Sequence, residues 1–279
     1  MISSCVISVG IADVRHDPDP ASELVTQALM NVAATPGKIS GRWTQVLLHD
    51  YKGWVRSDEL AEPISNGFTR IGEHCATPLG LIAVVNVTHT PLYDHETGHE
   101  TRDTAYLSTV LPLLDTTRAD RVQVALPGEQ TGWLARQTVA IRQRETPYPF
   151  TSVSTTTGYA RAFLGVPYLW GGVSWEGIDC SGFVQLCYRM SGYTLPRDAD
   201  QQHDSQPYKV KLEEMQEGDL IFFGGKSITH VALALNQKEF IHAEGQEYNH
   251  VTINSFDTAD AHYNQRLADI VYGLKRVVV

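Results

Sequence analysis

The sequence predicts two small all-β barrels followed by an α+β domain, on three observations. In the first half, short apolar runs are cut by turn residues at close intervals: Val6-Ile7-Ser8-Val9, then Asp17-Pro18-Asp19-Pro20, then Gln45-Val46-Leu47-Leu48, then Asp50-Tyr51-Lys52-Gly53. That is the strand spacing of a small barrel. The pattern then echoes itself. Gln45-Val46-Leu47-Leu48 leads to Gly53-Trp54-Val55, and Gln123-Val124-Ala125-Leu126 leads to Gly132-Trp133-Leu134, each a strand, a turn and Gly-Trp-aliphatic. A Pro/Ser/Thr-rich stretch, Thr146 to Thr157, separates this half from a segment of helical as well as alternating periodicity.

The echo places the barrels at about 1–70 and 71–146, with a linker over 147–157 and the α+β domain over 158–279. Within that domain Tyr159 to Leu164 reads as a helix. Asp179 to Met190 reads as a second, with Phe183, Val184, Leu186, Cys187 and Met190 at helical spacing. Asp219 to Phe223, Ile228 to Leu235 and Glu239 to Glu244 read as strands, so helices come first and an antiparallel sheet follows.

Composition narrows the function. With 279 residues, 42% of them hydrophobic, the chain buries a core of ordinary size. No apolar run reaches eighteen residues, so no membrane helix is expected. Met1 to Asp13 lacks a basic start and a long apolar stretch, which gives the expectation of no secretion signal and a cytoplasmic protein, unless the chain has been trimmed. A net charge of −10 disfavours nucleic acid or an anionic membrane as partner. Cys5, Cys75, Cys180 and Cys187 contain no CxxC pair. Cys180 and Cys187 are separated by roughly 10 Å of helical rise, too far for a disulfide, and a reducing compartment fits.

Chemistry concentrates in the last third. In Ile178-Asp179-Cys180-Ser181-Gly182-Phe183, Asp179 is a good N-cap, which puts Cys180 in the first helical turn. Unpaired N–H groups and the helix dipole there favour an anion, so the expectation is a thiol that ionises easily. Gly171, Gly172 and Gly177 just upstream permit close approach. On the two strands that follow, His230 shares a face with Ala232 and Ala234, and His242 shares one with Phe240. A hairpin with a three-residue loop at Leu235-Asn236-Gln237 pairs Ala234 with Lys238, Ala232 with Phe240 and His230 with His242. Opposed residues have Cβ atoms roughly 4.5–5.5 Å apart. One imidazole then exchanges the proton and the other orients it, the arrangement acyl transfer needs.

Taken together, Tyr168-Leu169-Trp170-Gly171-Gly172, Asp179-Cys180-Ser181-Gly182-Phe183, Leu195-Pro196-Arg197, Gly218-Asp219-Leu220-Ile221-Phe222-Phe223, Thr229-His230-Val231 and Ile241-His242-Ala243 resemble the NlpC/P60 cysteine peptidases over about 158–279. The resemblance implies a papain-like α+β fold and cleavage of cell-wall peptides between D-γ-glutamate and a diamino acid. It assigns Cys180 as nucleophile, His230 as base and His242 as third polar residue, and it puts Tyr168 beside the thiol and Asp179 and Ser181 in the cleft lining; Tyr168 and Trp170 also fit plain packing, though their place before the nucleophile favours a cleft wall. Ala12-Asp13-Val14-Arg15, Ser22-Glu23-Leu24 and Gly53-Trp54-Val55 are similar to bacterial SH3 (SH3b) domains, and the second copy is more degenerate. Two SH3b domains before an NlpC/P60 domain resemble the γ-D-glutamyl-L-diamino acid peptidases of murein recycling, which release L-Ala-γ-D-Glu from peptides with a free N-terminus. By position, Glu23, Tyr51 and Asp198 carry over as substrate-binding residues, the acids satisfied by an ammonium. The implied partner is a small muropeptide, with no cofactor and no metal.

Blander readings stand beside these. Cys5, Cys75 and Cys187 read as small core residues, and Trp54 and Trp133 as barrel packing. Glu23 also fits a solvated turn, Tyr51 a surface aromatic, and Asp198 a cap on Ala199-Asp200-Gln201. His95-Glu96-Thr97-Gly98-His99 matches HExxH, but zinc binding needs a helix to bring both histidines to one face, and Gly98 and Pro91 argue for a loop. Competing functions are a hydrolase of polymeric peptidoglycan with the barrels as wall anchors, and a wall-binding protein with a dead peptidase domain.

Overall fold

The computed structural model describes residues 4–64 and 80–277. Cys75 and the expected 70/71 boundary lie outside them. The chain divides into two compact units, Met1–Pro147 and Tyr148–Val279.

The first unit is built twice on one plan. β1 (Cys5–Ile7), β2 (Ile11–Arg15), β3 (Leu24–Leu29), β4 (Ala33–Ser40), β5 (Trp43–Leu47), β6 (Lys52–Arg56) and β7 (Leu60–Ala61) form a sheet in the order β3-β2-β6-β5-β4-β1-β7. β8 (Leu81–Val85), β9 (His89–Tyr93), β10 (Thr101–Tyr106), β11 (Val110–Asp115), β12 (Arg121–Leu126), β13 (Gln130–Ala135) and β14 (Val139–Gln143) form the second, in the order β10-β9-β13-β12-β11-β8-β14. Counted from its own first strand, each sheet has the same order, and the two Gly-Trp motifs fall on the equivalent strands β6 and β13. Alternation drives each barrel. Ala12 and Val14 of β2 and Val55 of β6 face one apolar cluster, while Leu92, Val122, Val124 and Leu134 face the other. Met30 of the first barrel packs into the second cluster. Asp103 Oδ2 accepts the Gly10 N–H at 2.7 Å and Asn31 Nδ2 donates to the Val110 carbonyl at 3.0 Å, which tie the two barrels together.

The second unit opens with α1 (Val153–Ala162). This corrects two expectations: the segment read as a linker over 147–157 is helical from Val153, and the helix ends at Ala162 rather than Leu164. The Ser/Thr-rich composition concealed it; Thr156 and Thr157 are buried helix residues. A short hairpin, β15 (Val173–Ser174) and β16 (Gly177–Ile178), leads into α2 (Cys180–Met190), and α3 (Ala199–Ser205) follows. β17 (Tyr208–Val210), β18 (Leu220–Phe223), β19 (His230–Ala234), β20 (Glu239–Glu244), β21 (His250–Ser255) and β22 (Val271–Arg276) form an antiparallel sheet in the order β17-β22-β18-β19-β20-β21, with α4 (Gln265–Asp269) before β22. α2 packs on β19 and β20. Phe222, Phe223, Phe240 and Ile241 are fully buried, each worth roughly 1.5–3 kcal/mol by burial. The unit is the expected α+β domain.

The β19–β20 register differs from the expected one. Leu233 pairs with Ile241 and Ala234 with Phe240, so the loop is Asn236–Lys238, one residue later than expected. Asn236 explains the shift: its Oδ1 accepts the N–H groups of Lys238 at 2.8 Å and Glu239 at 2.9 Å, closing the turn around itself. The pairing moves by two positions, and because strand faces alternate with period two, both histidines stay on one face.

His95–His99 lies in bends between β9 and β10, with Gly98 at φ +94°. Arg121 Nη1 and Nη2 donate to the His95 and Gly98 carbonyls. The helix that HExxH zinc binding requires is not formed there.

Candidate active site

α2 starts at Cys180 because Asp179 caps it. Asp179 is extended (φ −92°, ψ 174°) and its Oδ1 accepts the Gly182 N–H at 2.7 Å. The carboxylate is clamped from behind by Arg197, whose Nη1 donates to Oδ1 at 2.9 Å and whose Nη2 donates to Oδ2 at 2.5 Å. Gly171 N–H adds a bond to Oδ2 at 2.9 Å. Arg197 Nη1 also donates to Ser181 Oγ at 3.0 Å, and Ser181 Oγ donates to Asp179 Oδ1 at 3.3 Å. A Cβ on Gly182 would stand 2.7 Å from the Gly172 carbonyl and 3.3 Å from Arg197 Cζ, so only glycine admits this packing. Asp179, Ser181 and Arg197 are all buried and act as a scaffold for the helix start.

The thiol differs from its expected state. Burial first and the Asp179 carboxylate second push Cys180 up to about 12. The Val231 N–H, the Arg197 guanidinium and the Ser181 N–H act in the opposite direction and are outweighed. Cys180 is therefore a neutral thiol at rest. The Val231 amide that reaches the sulfur belongs to the residue next to His230. Among the described residues no hydrogen bond joins the thiol to His230 in this resting arrangement, and catalytic contacts often tighten only when substrate binds.

The two imidazoles meet despite the altered register. His230 Nε2 and His242 Nδ1 are 2.8 Å apart, with ring centroids 5.0 Å apart at 72°. His242 Nε2 lies 2.9 Å from Asn254 Oδ1. Burial holds both rings neutral: His230 falls well below its usual range, helped by His242 and Arg266, and His242 falls to about 4. At neutral pH the pair is a base able to accept a proton.

Tyr168 is half-buried, and the charge of an ionised Cys180 would reach it. Burial pushes its phenol up, so it stays a donor. Its ring covers Gly245, where a Cβ would stand 2.6 Å from Cε1. The loop holding Gly245 is anchored by Glu244, which accepts the N–H groups of Gln246, Glu247 and Tyr248 at 3.0, 2.6 and 2.8 Å and pairs with Arg266 at 2.7 Å. Those partners hold the Glu244 carboxyl below its ordinary range despite burial. Trp170 is 60% exposed. Asp198 stands at the N-cap position of α3 without a side-chain cap bond, and its Oδ2 accepts from Gln201 Nε2 at 3.1 Å.

Glu23 and Tyr51 belong to the first unit. Glu23 is exposed and immediately precedes β3; Tyr51 is half-buried and immediately precedes β6. β3 and β6 both run antiparallel to β2, with Arg15 opposite Leu24 and Trp54. The two residues therefore share one end of the sheet, two strand spacings or roughly 10 Å apart. Sequence reasoning gave no role to Arg197 or Glu244 and did not single out Asn254. The Leu195-Pro196-Arg197 motif was the available signal for the first, and the Val251-Ile253 alternation before Asn254 was the signal for the last.

A family model described as "NlpC/P60 family" matches residues 165–270, and one described as "Bacterial dipeptidyl-peptidase Sh3 domain" matches 14–60. A γ-D-glutamyl-L-lysine dipeptidyl-peptidase of Bacillus cereus is 30% identical over 246 residues, covering 81% of this chain and 69% of the relative. A Bacillus subtilis protein of the same name is 44% identical over 85 residues, and dipeptidyl-peptidase 6 of Lysinibacillus sphaericus is 38% identical over 112; these matches cover 28% and 40% of the relatives. The crystal structure of an NlpC/P60 family protein from Bacillus cereus shares the fold, with TM-score 0.84, 24% identity and coverage of 98% of this chain and 99% of that one. The family model spans the helix that carries Cys180 and the strands that carry His230 and His242, and with the Bacillus cereus relative matched over most of both chains, the chain belongs to the NlpC/P60 family of cysteine peptidases.

Proposed function

We propose that the enzyme hydrolyses the γ-D-glutamyl bond to an L-diamino acid in short cell-wall peptides with a free N-terminal L-Ala, releasing L-Ala-γ-D-Glu. The observation that carries this reading is the length of the Bacillus cereus match: 246 residues include parts of both compact units, not the catalytic part alone.

The chemistry follows from the site. As Cys180 Sγ attacks the γ-carbonyl carbon, its proton passes to neutral His230, because a thiol pushed up to about 12 does not attack as a pre-formed anion. The Gly182 N–H is taken by Asp179 Oδ1 and the Phe183 N–H by the Asp179 carbonyl. With the Ser181 N–H directed at the thiol itself, the Cys180 N–H of the first turn is left to hold the oxyanion. The imidazolium of His230 returns the proton to the leaving amine, giving a thioester and a free diamino acid. Neutral His230 then activates water, which releases the dipeptide and restores the thiol.

Glu23, Tyr51 and Asp198 are proposed as readers of the free ammonium, and Tyr168 and Trp170 as walls against the peptide. We also place the enzyme in the cytoplasm, in a recycling role, supported by its free Cys5, Cys180 and Cys187; fractionation of the source cells tests that. The substrate reading is tested with L-Ala-γ-D-Glu-L-Lys and its N-acetylated form. The free tripeptide should yield L-Ala-γ-D-Glu and lysine and the acetylated one should resist. Equal cleavage of both, or preference for polymeric wall, would refute it.

A further inference from the structure

The imidazole relay does not end at His242. Asn254, on β21, is 2% exposed, and its Oδ1 lies 2.9 Å from His242 Nε2. The orientation of this amide is fixed from its far side: Nδ2 donates to the His262 carbonyl at 3.1 Å, a group that can only accept. Asn264 confirms it. Its own Oδ1 is committed to the Leu267 N–H at 3.0 Å, and its Nδ2 approaches Asn254 Oδ1 at 3.4 Å. Asn254 therefore presents an acceptor to His242, and His242 Nε2 must carry the hydrogen. A neutral imidazole has one N–H, so His242 Nδ1 is a lone pair. That lone pair faces His230 Nε2 at 2.8 Å, which must then be the N–H of its own ring. The nitrogen left with a lone pair on His230 is Nδ1.

We infer that Asn254 is a positioning residue: it selects the tautomer of His242 and through it that of His230, so that His230 Nδ1 takes the thiol proton. This rests on the cysteine-peptidase mechanism above. Other groups facing His242 do not perform the selection. Glu244, on the same strand, has Oε2 filled by three backbone N–H groups and Oε1 by Arg266 from α4. His230, from β19, offers a nitrogen whose role is itself unset. Cys180 opens α2 and Asp179 caps it, with the Asp179 carboxylate engaged by Arg197.

Two substitutions in the full chain separate tautomer selection from simple packing. Asn254→Asp keeps the acceptor and loses the donor to His262; Asn254→Leu loses both. With L-Ala-γ-D-Glu-L-Lys, Asn254→Leu should lower kcat about 10–100-fold, the scale seen when an outer partner of a working histidine is removed, with KM within about twofold. Asn254→Asp should keep kcat within about threefold, and the acid limb of its pH–rate profile should move up, because a carboxylate favours the His242 imidazolium. Nitrogen chemical shifts of the wild-type imidazoles should show Nε2–H and a bare Nδ1 on both rings. Full activity in Asn254→Leu, equal impairment of both variants, or Nδ1–H on His242 in the wild type each overturns the inference. Failure of the peptidase reading looks different: the wild type then turns over no tripeptide while the His242 tautomer signature persists.

Discussion

The first and third turns of α2 each carry a buried cysteine, and burial pushes both thiols up. Around Cys187 burial is the whole cause. Around Cys180 a helix cap, the Val231 and Ser181 N–H groups, the Arg197 guanidinium and an opposing carboxylate all act at once. Cys187 is fully buried, whereas Cys180 keeps 8% of its surface. What distinguishes a nucleophile here is thus not resting acidity but the polar groups and the base assembled around the sulfur. The helix supplies the position and the sheet supplies the chemistry.

The comparison breaks most visibly at the base. His230→Ala should cut kcat/KM by roughly 10⁴-fold, since losing a member of a nucleophile–base pair removes the pair's joint effect, while circular dichroism stays native; a loss under tenfold would deny His230 its role. Next comes the clamp behind the cap. Arg197→Met leaves the buried Asp179 carboxylate uncompensated and should destabilise the chain by about 3–5 kcal/mol in urea unfolding, whereas a change below 1 kcal/mol would mean that Asp179 does not depend on Arg197. Third is pH. The unfolded chain protonates His242 near pH 6.5, and the folded chain resists until about 4. His242 alone should account for about 3 kcal/mol of stability lost as pH drops from 6.5 to 4, with His230, also held well below its usual range, adding to the fall, so His242→Asn should make the slope shallower. The smallest effect is expected at the first barrel, where Glu23→Gln should raise KM for the free tripeptide about tenfold and leave kcat unchanged; an unchanged KM would remove Glu23 from substrate recognition.

Much of this was legible because it is written in periodicity. The Gly-Trp echo identified two barrels, and the structure gives them one strand order. Cys180 and its cap were readable because Asp-Cys-Ser-Gly places a short polar acceptor before a helical run. Face parity predicted that His230 and His242 would meet, and it survived a two-position slip in pairing, since only an odd slip separates the faces. What was not legible depended on partners distant in sequence. The acidity of Cys180 was misjudged because a helix N-terminus is local information and burial is not. α1 hid in a Ser/Thr-rich stretch whose threonines turn inward. Asn254 was missed because asparagine in a sequence suggests a turn, yet here it sits inside β21 opposite Phe240, beside His242 on the same face.

The contrast between the two sulfurs is settled most directly by measuring kcat/KM of Cys180→Ala and Cys187→Ala side by side on L-Ala-γ-D-Glu-L-Lys. Cys180→Ala should show no detectable turnover and Cys187→Ala a value within a few-fold of wild type, with only a modest loss of stability from the small cavity. Turnover that survives the loss of the Cys180 sulfur, or that vanishes with the Cys187 sulfur in a folded protein, would contradict that contrast.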